Sequence, residues 1–471
     1  MKPRLLILSL ALAAFPAISQ TNISNQWSKE QAWDWYKSQP WIVGINYVPS
    51  TAGNTTEWWQ DETRVTDFLM DRELGWAEQL GYNSVRVFIQ YIVYQNNPAY
   101  LKNRFERFLE IASRHGLKVV PVPFDDCFTS EEPHLGKQKD PIPGVIVPQW
   151  TTSPGRSAIV DPAKWPPLRS YLQDLIRTYG KDPRIHYWDL FNEPQDSLTL
   201  KLVAEVFRWA REIGPSQPLT VSEWRLPGMK FPYTLSDIIS YHVYAPADII
   251  QKSNQLYAQL GRPVIATEWL SRPMGARIEV DLPLFRRMGV GNYIWSFVNG
   301  RSQCQFPWGN QPGGVISPLG WWHDIIYSNG TPYRPWEIDA IRRNTALKTL
   351  PWAPGTQGEL QNRSGCTDPR FEEFDSLATQ DNGTCQTALA PLVIEGCLNS
   401  ESPRFTPLAT WHVSSLCEEP VGIAKLVPNY KRAPARLVIR GFRPLLQLGG
   451  TKASHLVDPR GRLLSNPLPA R

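Results

Sequence analysis

The sequence lacks a glycine-rich phosphate-binding turn after any of its early predicted strands, although strands and helices alternate along much of its length. Open, doubly wound α/β sheets that bind nucleotides carry such a turn after their first strand. Its absence argues against that fold and favours a closed arrangement of the same elements. No cysteine or histidine spacing resembles a zinc site either. We therefore expect neither a metal ion nor another cofactor.

Long hydrophobic runs are also missing. The clearest apolar stretch lies within residues 1–20, where a basic start precedes Leu5 to Phe15 and the small-x-small sequence Ala17-Ile18-Ser19 follows. This pattern is typical of a secretory signal peptide, and the run is too short to span a bilayer. We predict a secreted or periplasmic protein without a membrane span.

Acidic residues are scarce at the end of the chain. After Val421 there are ten Lys and Arg residues against Asp458 alone, whereas the net charge of the whole chain is +5. The basic surplus is therefore a property of the tail and does not indicate a nucleic-acid partner. From about Trp352 the alternation of elements also stops. We predict that residues 351–471 form a C-terminal extension that is either disordered or a small β region.

What the sequence does contain is a series of eight short apolar stretches that alternate with helical stretches. The predicted strands are 41–47, 84–89, 118–124, 185–191, 219–224, 238–244, 264–269 and 291–298. Eight such units are typical of a (β/α)8 barrel, which takes about 250 residues plus insertions. The predicted fold class is therefore α/β, with a (β/α)8 TIM barrel over residues 21–350.

The fourth and seventh of these strands each end in a glutamate. The fourth is closed by Asn192-Glu193-Pro194, because proline cannot continue a strand ladder. The seventh ends in Thr267-Glu268-Trp269. The carboxyl ends of barrel strands carry the active site, and strands four and seven face each other across the mouth. Two carboxyl groups placed there can act on one glycosidic bond, one as a proton donor and the other as a nucleophile.

The order of these motifs resembles glycoside hydrolase family 5, the cellulase- and mannanase-like retaining barrels. The resemblance covers roughly residues 40–345 and includes His242-Val243-Tyr244 after strand six and Trp295 after strand eight. It implies that Glu193 is the acid/base and that Glu268 is the nucleophile.

The resemblance also implies roles for neighbouring residues. Asn192 would hydrogen-bond the 2-hydroxyl of the sugar being cleaved, and Tyr244 would orient the nucleophile. His242 would line the site, and Trp295 would form the floor of the −1 sugar site. Arg86, at the end of strand two, would keep the nucleophile ionised, and a simple ion-pair partner is the alternative for this residue.

Two positions complicate this assignment. The family usually has a histidine near the end of strand three, where this chain reads Phe124-Asp125-Asp126-Cys127. Asp126 is a candidate hydroxyl contact, and for both Asp125 and Asp126 the alternatives are a sugar contact and capping of the loop. Glu223 lies in Val221-Ser222-Glu223-Trp224, which nearly copies the sequence around Glu268. We interpret Glu223 as a substrate contact or an ion-pair partner rather than as the nucleophile.

The cysteines and tryptophans add weaker expectations. Four of the six cysteines lie in the extension and allow three pairings. Cys127 and Cys304 follow strands three and eight, and a disulfide between them is one candidate pairing. Of the twenty tryptophans, one or two of those on the same loops are expected to stack on sugars, the candidates being Trp150, Trp308, Trp321 and Trp322.

The function predicted from the sequence is a secreted retaining glycoside hydrolase that cleaves β-linked mannan, glucan or xylan with two glutamates. Its partner would be an oligo- or polysaccharide, and we favour a monomer. The alternative is a non-catalytic carbohydrate-binding TIM barrel, which would keep the aromatic residues but lose a carboxylate. Because both carboxylates are present, the enzyme is favoured.

Overall fold

The computed structural model describes residues 25–127, 131–224 and 231–346, together with shorter stretches between 364 and 417. The predicted signal peptide lies outside the described residues. Eight parallel strands form one sheet, and they are β1 (Val43–Asn46), β2 (Ser84–Phe88), β3 (Lys118–Val122), β4 (Trp188–Asn192), β5 (Leu219–Glu223), β6 (Ile239–Val243), β7 (Val264–Trp269) and β8 (Gly291–Ile294). Their order in the sheet is β3-β2-β1-β8-β7-β6-β5-β4.

The sheet closes on itself between β3 and β4. At the amino end of these strands, the backbone N–H of His186 donates to the carbonyl of Val119 at 2.8 Å. At the carboxyl end, the N–H of Asn192 donates to the carbonyl of Phe124, also at 2.8 Å. The predicted (β/α)8 TIM barrel is thereby confirmed.

Helices surround the barrel, and their bounds are α1 (Lys29–Lys37), α2 (Thr55–Gln60), α3 (Asp67–Gln79), α4 (Tyr91–Asn96), α5 (Pro98–Arg114), α6 (Arg156–Ile159), α7 (Trp165–Tyr179), α8 (Ser197–Ile213), α9 (Phe231–Leu235), α10 (Ala247–Ala258), α11 (Ile278–Arg287) and α12 (Pro335–Ala346). Helix α5 shows why they form. Asn97 caps it by accepting from the N–H of Tyr100, Pro98 occupies the first turn, and Leu101 and Phe105 face the core. None of the described helices combines the length and apolar character that a membrane crossing requires.

The floor of the barrel, at the amino ends of the strands, is covered by α1. The Tyr36 hydroxyl donates to the carbonyl of Gly289 at 2.9 Å. Above this helix, the Ser84 hydroxyl lies 2.7 Å from the Tyr293 hydroxyl and 3.0 Å from Nδ1 of His186. Burial lowers the pKa of His186 to about 3. The floor therefore holds a polar cluster that is uncharged at neutral pH.

Two strands are irregular near their carboxyl ends. In β4, the four residues from Asp189 to Asn192 span the same distance as the three residues from Thr220 to Ser222 of β5. In β7, an extra residue lies between Ala266 and Trp269 relative to β8, and β7 is also out of step with β6. Such bulges redirect side chains and are frequent beside active sites.

Part of the C-terminal extension is also described. Its short strands are β9 (Ser364–Gly365), β10 (Gln380–Asp381), β11 (Glu395–Gly396) and β12 (Trp411–His412). Strand β9 pairs in parallel with β10, and β11 pairs in the same way with β12. Disulfides join Cys366 to Cys385 and Cys397 to Cys417, with sequence separations of 19 and 20 residues.

The two cystine-closed segments also share a sequence pattern. In both, Gly-Cys is followed in order by Pro-Arg-Phe, Leu-Ala-Thr and a closing Cys. Equal strand pairing and a shared pattern indicate two copies of one unit. The repeat escapes a search for hydrophobic periodicity, because it is carried by cysteine and turn residues.

The candidate disulfide between Cys127 and Cys304 is wrong. Both cysteines are buried and free. They follow β3 and β8, which are separated in the barrel by β1 and β2. A bridge between them would have to cross the width of two strands, whereas disulfides hold Cα atoms about 4.4–6.8 Å apart.

Candidate active site

A cavity of about 430 Å³ opens at the carboxyl ends of the strands. Of the predicted site residues, Asn192, Glu193, His242, Tyr244, Glu268 and Trp295 line it. Asp126 and Glu223 are not among its lining residues. The other lining residues are Phe88, Cys127, Ile146, Val147, Trp150, Gln195, Trp224, Met274 and Trp308.

Backbone irregularities turn both glutamates towards this cavity. Glu193 directly follows the inward-facing Asn192, and its φ of +44° is one that residues other than glycine seldom adopt. Glu268 directly follows Thr267, whose hydroxyl lies 2.9 Å from that of Ser222 inside the barrel. In a regular strand the next side chain would point outwards. The bulge in β7 instead returns Glu268 to the mouth.

The two carboxylates lie close together and share a histidine. One ligand atom each of Glu193, His242 and Glu268 lies within 4.8 Å of the others. Nδ1 of His242 is 2.6 Å from Oε1 of Glu193 and 3.4 Å from Oε2 of Glu268. Burial lowers the pKa of His242 to about 4, so its imidazole is neutral at pH 7.

The tautomer of His242 follows from its other nitrogen. Among the described residues, Nε2 is buried and has no hydrogen-bond partner. An N–H left unpaired costs more than an unpaired ring lone pair, since buried donors are rarely left unsatisfied. We therefore assign the proton to Nδ1, which donates to Glu193.

Arg86 is the hub of the charged network. Its Nε donates to Asp189 and its Nη1 donates to Glu268, both at 2.8 Å, while Nη2 donates to Oδ1 of Asn192 at 2.7 Å. Nη1 also donates to Asn46 at 2.8 Å. The carboxylates of Asp189 and Glu268 raise the pKa of Arg86 against the effect of its burial. The guanidinium is thus a permanent positive charge below the cavity.

Glu268 has a second donor above this guanidinium. The Tyr244 hydroxyl donates to its Oε2 at 2.7 Å. Burial raises the pKa of the Glu268 carboxyl, while His242, Arg86 and the Tyr244 hydrogen bond oppose that rise. The Tyr244 ring is itself held edge-on against Trp308, with ring centroids 4.9 Å apart. The carboxylate is consequently fixed on both of its oxygens.

Asp125 fills the place after β3 where the family resemblance leads one to expect a histidine. Its Oδ1 accepts from Nδ2 of Asn192 at 2.8 Å, and its Oδ2 accepts from the indole N–H of Trp150 at 2.8 Å. The N–H of Cys127 also donates to Oδ1. Burial raises the pKa of Asp125 to about 7 against these hydrogen bonds. Asp125 therefore orients two residues of the cavity, a role that the sequence interpretation did not assign to it.

The adjacent Asp126 points the other way. It accepts from Thr199 at 2.6 Å and forms an ion pair with Arg156 at 2.5 Å. These partners belong to α8 and α6, outside the barrel, because consecutive side chains of an extended segment face opposite sides. The expected hydroxyl contact for Asp126 is therefore not supported, and of the two alternatives it is the anchoring role in the loop that its contacts fit.

Glu223 is also directed away from the cavity. It is fully buried, its Oε1 accepts from the N–H of Trp224, and its charge acts on Tyr233 and Tyr257 of the outer helices. No register shift interrupts the pairing of β5 with β6. Without a bulge, the residue after the inward-facing Ser222 points outwards. Its contacts do not support a substrate contact.

The loop tryptophans divide into two groups. Trp150 and Trp308 line the cavity, and Trp150 packs edge-on against Trp295 with centroids 5.9 Å apart. Trp321 stacks on Tyr333 at 4.1 Å and Trp322 packs against Trp308, and neither lines the cavity.

Cys127 also lines the cavity. Burial and the charge of Glu193 raise the pKa of its thiol well above the ordinary value, so the thiol stays protonated.

The fold and the site together define a class of protein: a (β/α)8 barrel with paired carboxylates at the carboxyl end of its strands. The sequence profile of cellulase (glycosyl hydrolase family 5) matches residues 46–292. This match covers more than half of the chain, and the chain belongs to this family. Membership supports glycoside hydrolase activity.

Several solved structures are similar to the chain. A GH5_18 protein from Bifidobacterium longum subsp. infantis is 15% identical, with 69% of this chain and 82% of that chain covered and a TM-score of 0.47. An exo-β-1,4-mannosidase from Opitutaceae bacterium strain TAV5 is 16% identical, with 69% and 61% covered and a TM-score of 0.46. A family 5 mannosidase from Rhizomucor miehei is 15% identical, with 65% and 92% covered and a TM-score of 0.41. No curated protein sequence matches the chain.

Proposed function

We propose that this chain is an exported, retaining glycoside hydrolase that cleaves β-glycosidic bonds through a covalent glycosyl-enzyme. One observation carries the proposal: oxygens of Glu193 and Glu268 lie within 4.8 Å of each other at the base of the cavity. Retaining enzymes hold their carboxyl groups about 5–5.5 Å apart, whereas inverting enzymes leave about 6.5–9.5 Å for a water molecule. The separation supports direct attack by one carboxylate.

In the first step, Glu268 attacks the anomeric carbon while Glu193 transfers its proton to the leaving glycosidic oxygen. The bond from that carbon to the oxygen breaks, and an ester to Glu268 forms. In the second step, Glu193 removes a proton from water, which attacks the same carbon and releases Glu268. Two inversions at one carbon give net retention.

The neighbouring residues suit these roles. Arg86 and Tyr244 donate to Glu268 and favour its ionised form, which is the nucleophile. Nδ1 of His242 lies near both carboxylates. Its hydrogen bonding can therefore change as Glu193 and Glu268 gain and lose negative charge during the two steps. The side-chain oxygen of Asn192 accepts from Arg86, and one of its amide hydrogens is donated to Asp125. The second amide hydrogen can therefore be donated to a sugar hydroxyl.

The sequence interpretation proposes a glycone from a plant-type β-glycan, namely mannose, glucose or xylose. The signal-like residues 1–20 support export to the periplasm or beyond. We expect the enzyme to release product from one member of a panel of β-mannan, β-glucan, xylan and the corresponding aryl β-glycosides. Binding to one of them without any turnover would instead favour the carbohydrate-binding barrel.

Two variants distinguish the roles of the glutamates. Glu268→Ala should reduce kcat by about 10⁴-fold or more while sugar binding persists, because no covalent intermediate forms. Glu193→Ala should lose far less activity on an aryl glycoside with a strongly acidic leaving group, which needs no proton. Added azide should then give a glycosyl azide of retained configuration with Glu193→Ala and of inverted configuration with Glu268→Ala.

Glu223→Gln is the matched control, because Glu223 lies in nearly the same local sequence but points away from the cavity. It should keep the activity of the parent enzyme. Unchanged turnover in Glu268→Ala would refute the nucleophile assignment.

A further inference from the structure

We propose that the enzyme is exo-acting: a bridge between two loops closes the glycone side of the cavity, so that only a terminal sugar can enter. This inference rests on the proposed function and specifies which substrates reach its site. The bridge joins residues 140–147, in the loop after β3, to residues 301–314, in the loop after β8.

The bridge is held by hydrogen bonds from both backbone and side chains. The N–H of Val147 donates to the carbonyl of Ser302, and the N–H of Gly313 donates to that of Pro143, both at 2.8 Å. Four further side-chain contacts are Gln303 Nε2 to the carbonyls of Ile142 (2.8 Å) and Val145 (2.9 Å), Asn310 Nδ2 to the carbonyl of Gly144 (3.1 Å), and Arg301 Nη2 to Asp140 (3.4 Å).

The two loops also touch backbone to backbone. A Cβ added at Gly144 would lie 2.3 Å from the backbone nitrogen of Gly314, a distance that real Cβ atoms essentially never show. Only a residue without a side chain fits at Gly144, whose φ is +84°. The bridge is therefore a packed contact and not an approach of two loose loops.

The order of the strands shows which side of the cavity the bridge covers. Strands β3 and β8 are separated by β1 and β2, so a link between their loops passes over β1 and β2. Glu193 follows β4 and Glu268 lies in β7, and the line between them divides the mouth into a β5–β6 side and a β8–β3 side. The bridge lies on the second side.

The sugar being cleaved belongs on that same side. Trp295 follows β8, and its ring is packed between Phe88 of β2 and Trp150 of the β3 loop, at 5.9 Å from each. An aromatic face of this kind is a suitable platform for a sugar ring. A sugar on Trp295 sends its leaving group across the line of glutamates, towards β5 and β6.

The two sides differ in exposure as this arrangement requires. Beneath the bridge, Ile146 and Trp150 line the cavity and are 8% and 5% exposed. On the opposite side, Trp224 and Met274 line it and are 47% and 43% exposed. A second sugar on the glycone side would have to occupy the space of the bridge, whereas a leaving group meets side chains that already face solvent.

The part of the bridge that comes from the β3 loop offers such a sugar no polar side chain. Ile146 and Val147 present aliphatic groups to the cavity. Burying a hydroxyl against them without a hydrogen bond is unfavourable. Chemistry and shape thus both exclude a glycan chain that continues beyond the first sugar.

The test uses two aryl β-glycosides of the sugar that the panel selects. The first carries a single sugar. The second carries a disaccharide, and a cyclic ketal blocks the non-reducing end of that disaccharide. The wild-type enzyme should release the aryl group from the single-sugar substrate about 100-fold faster or more. Equal rates would overturn the inference, whereas no release from either substrate would count against the proposed hydrolase itself.

A pair of glycine variants tests the bridge directly. Gly144 and Gly136 lie in the same loop with the same φ of +84°, but a Cβ at Gly136 meets nothing within 4 Å. Both alanine variants carry the same backbone strain, and only Gly144→Ala forces the loops apart. Release from the blocked substrate should rise at least about tenfold in Gly144→Ala and not in Gly136→Ala. Equal behaviour of the two variants would show that the bridge is not the barrier.

Discussion

Two buried histidines lie at opposite ends of one barrel, and their surroundings differ. His186, at the floor, contacts the hydroxyl of Ser84 in a cluster without charged members. His242, at the mouth, contacts two carboxylates that are held by a buried guanidinium. Burial lowers the pKa of both imidazoles, to about 3 and about 4. The charge of the neighbouring residues, not that of the imidazole, distinguishes the two histidines.

This difference separates what the fold needs from what the chemistry needs. Neutral hydroxyl groups satisfy the surroundings of His186 at little cost, since each hydrogen bond contributes about 0.5–1.5 kcal/mol. Buried ions lose hydration worth several kcal/mol each and are seldom retained for stability alone. The mouth nevertheless buries Arg86, Asp189 and Glu268 together. At the mouth, the barrel bears this cost beside Glu268, the carboxylate that is proposed to change its bonding during reaction.

The largest expected effect comes from disturbing the charge at the mouth. Arg86→Lys keeps the positive charge but loses the planar fork that donates to Asp189, Glu268 and Asn192 at once. We expect kcat/KM to fall by about 10²–10³-fold, the loss typical of removing one preorganised donor. Steady-state kinetics on the preferred aryl glycoside measures it, with thermal unfolding to confirm that the variant folds. A loss below tenfold would show that charge alone suffices.

A smaller effect is expected one step away from the reacting groups. In Asp125→Asn, a single acceptor oxygen replaces the two that hold Asn192 and Trp150, and the new amide N–H faces the indole N–H. Loss of this positioning should lower kcat/KM by about 10- to 100-fold. Asp126→Asn is the matched control, because Asp126 is the neighbouring carboxylate that points outside the barrel. An equal loss in both variants would contradict the assignment.

The same variant changes the dependence on pH. Burial raises the pKa of Asp125 to about 7, so the wild-type carboxylate gains a proton as the pH falls through 7 and loses one acceptor. Wild-type kcat/KM should fall along this limb, and Asp125→Asn should lack it. Stability has the opposite sign, because a folded pKa above the unfolded value of about 3.9 favours the folded state at low pH. The stabilisation from Asp125 is lost as the pH rises through about 7.

The comparison of similar sequence motifs shows what the sequence could predict. The sequence predicts that Glu193 lies at the carboxyl end of a strand, because Pro194 ends an apolar strand at that point. The near-identical motifs around Glu223 and Glu268 differ in the sequence only by the strand to which each belongs, since both follow a hydroxyl residue. A bulge in β7, absent from the pairing of β5 with β6, directs Glu268 into the mouth. Bulges depend on pairing between distant strands, which a local pattern does not contain.

A one-residue change of face separates the contacts of Asp125 from those of Asp126. The sequence interpretation favoured Asp126 as a substrate contact, whereas Asp125 is the residue that contacts Asn192. Strand β3 ends at Val122, and beyond that point the alternation of inward and outward side chains cannot be counted from the sequence. Asp189 was also missed, although a lone acid within the apolar Trp188–Asn192 strand is a signal in itself.

The smallest expected effect on kcat/KM is that of a substitution at the floor, and it tests the comparison of the floor with the mouth most directly. Ser84 and Arg86 face the same interior from one strand, two residues apart, but only Arg86 reaches a carboxylate. Ser84→Ala removes neutral hydrogen bonds to Tyr293 and His186. We expect the free energy of unfolding to fall by about 1–3 kcal/mol, with kcat/KM within twofold of the parent. Chemical denaturation and steady-state kinetics on the same preparation measure both. If Ser84→Ala lowered kcat/KM as much as Arg86→Lys, the floor would belong to the catalytic machinery, and the separation of the two ends would fail.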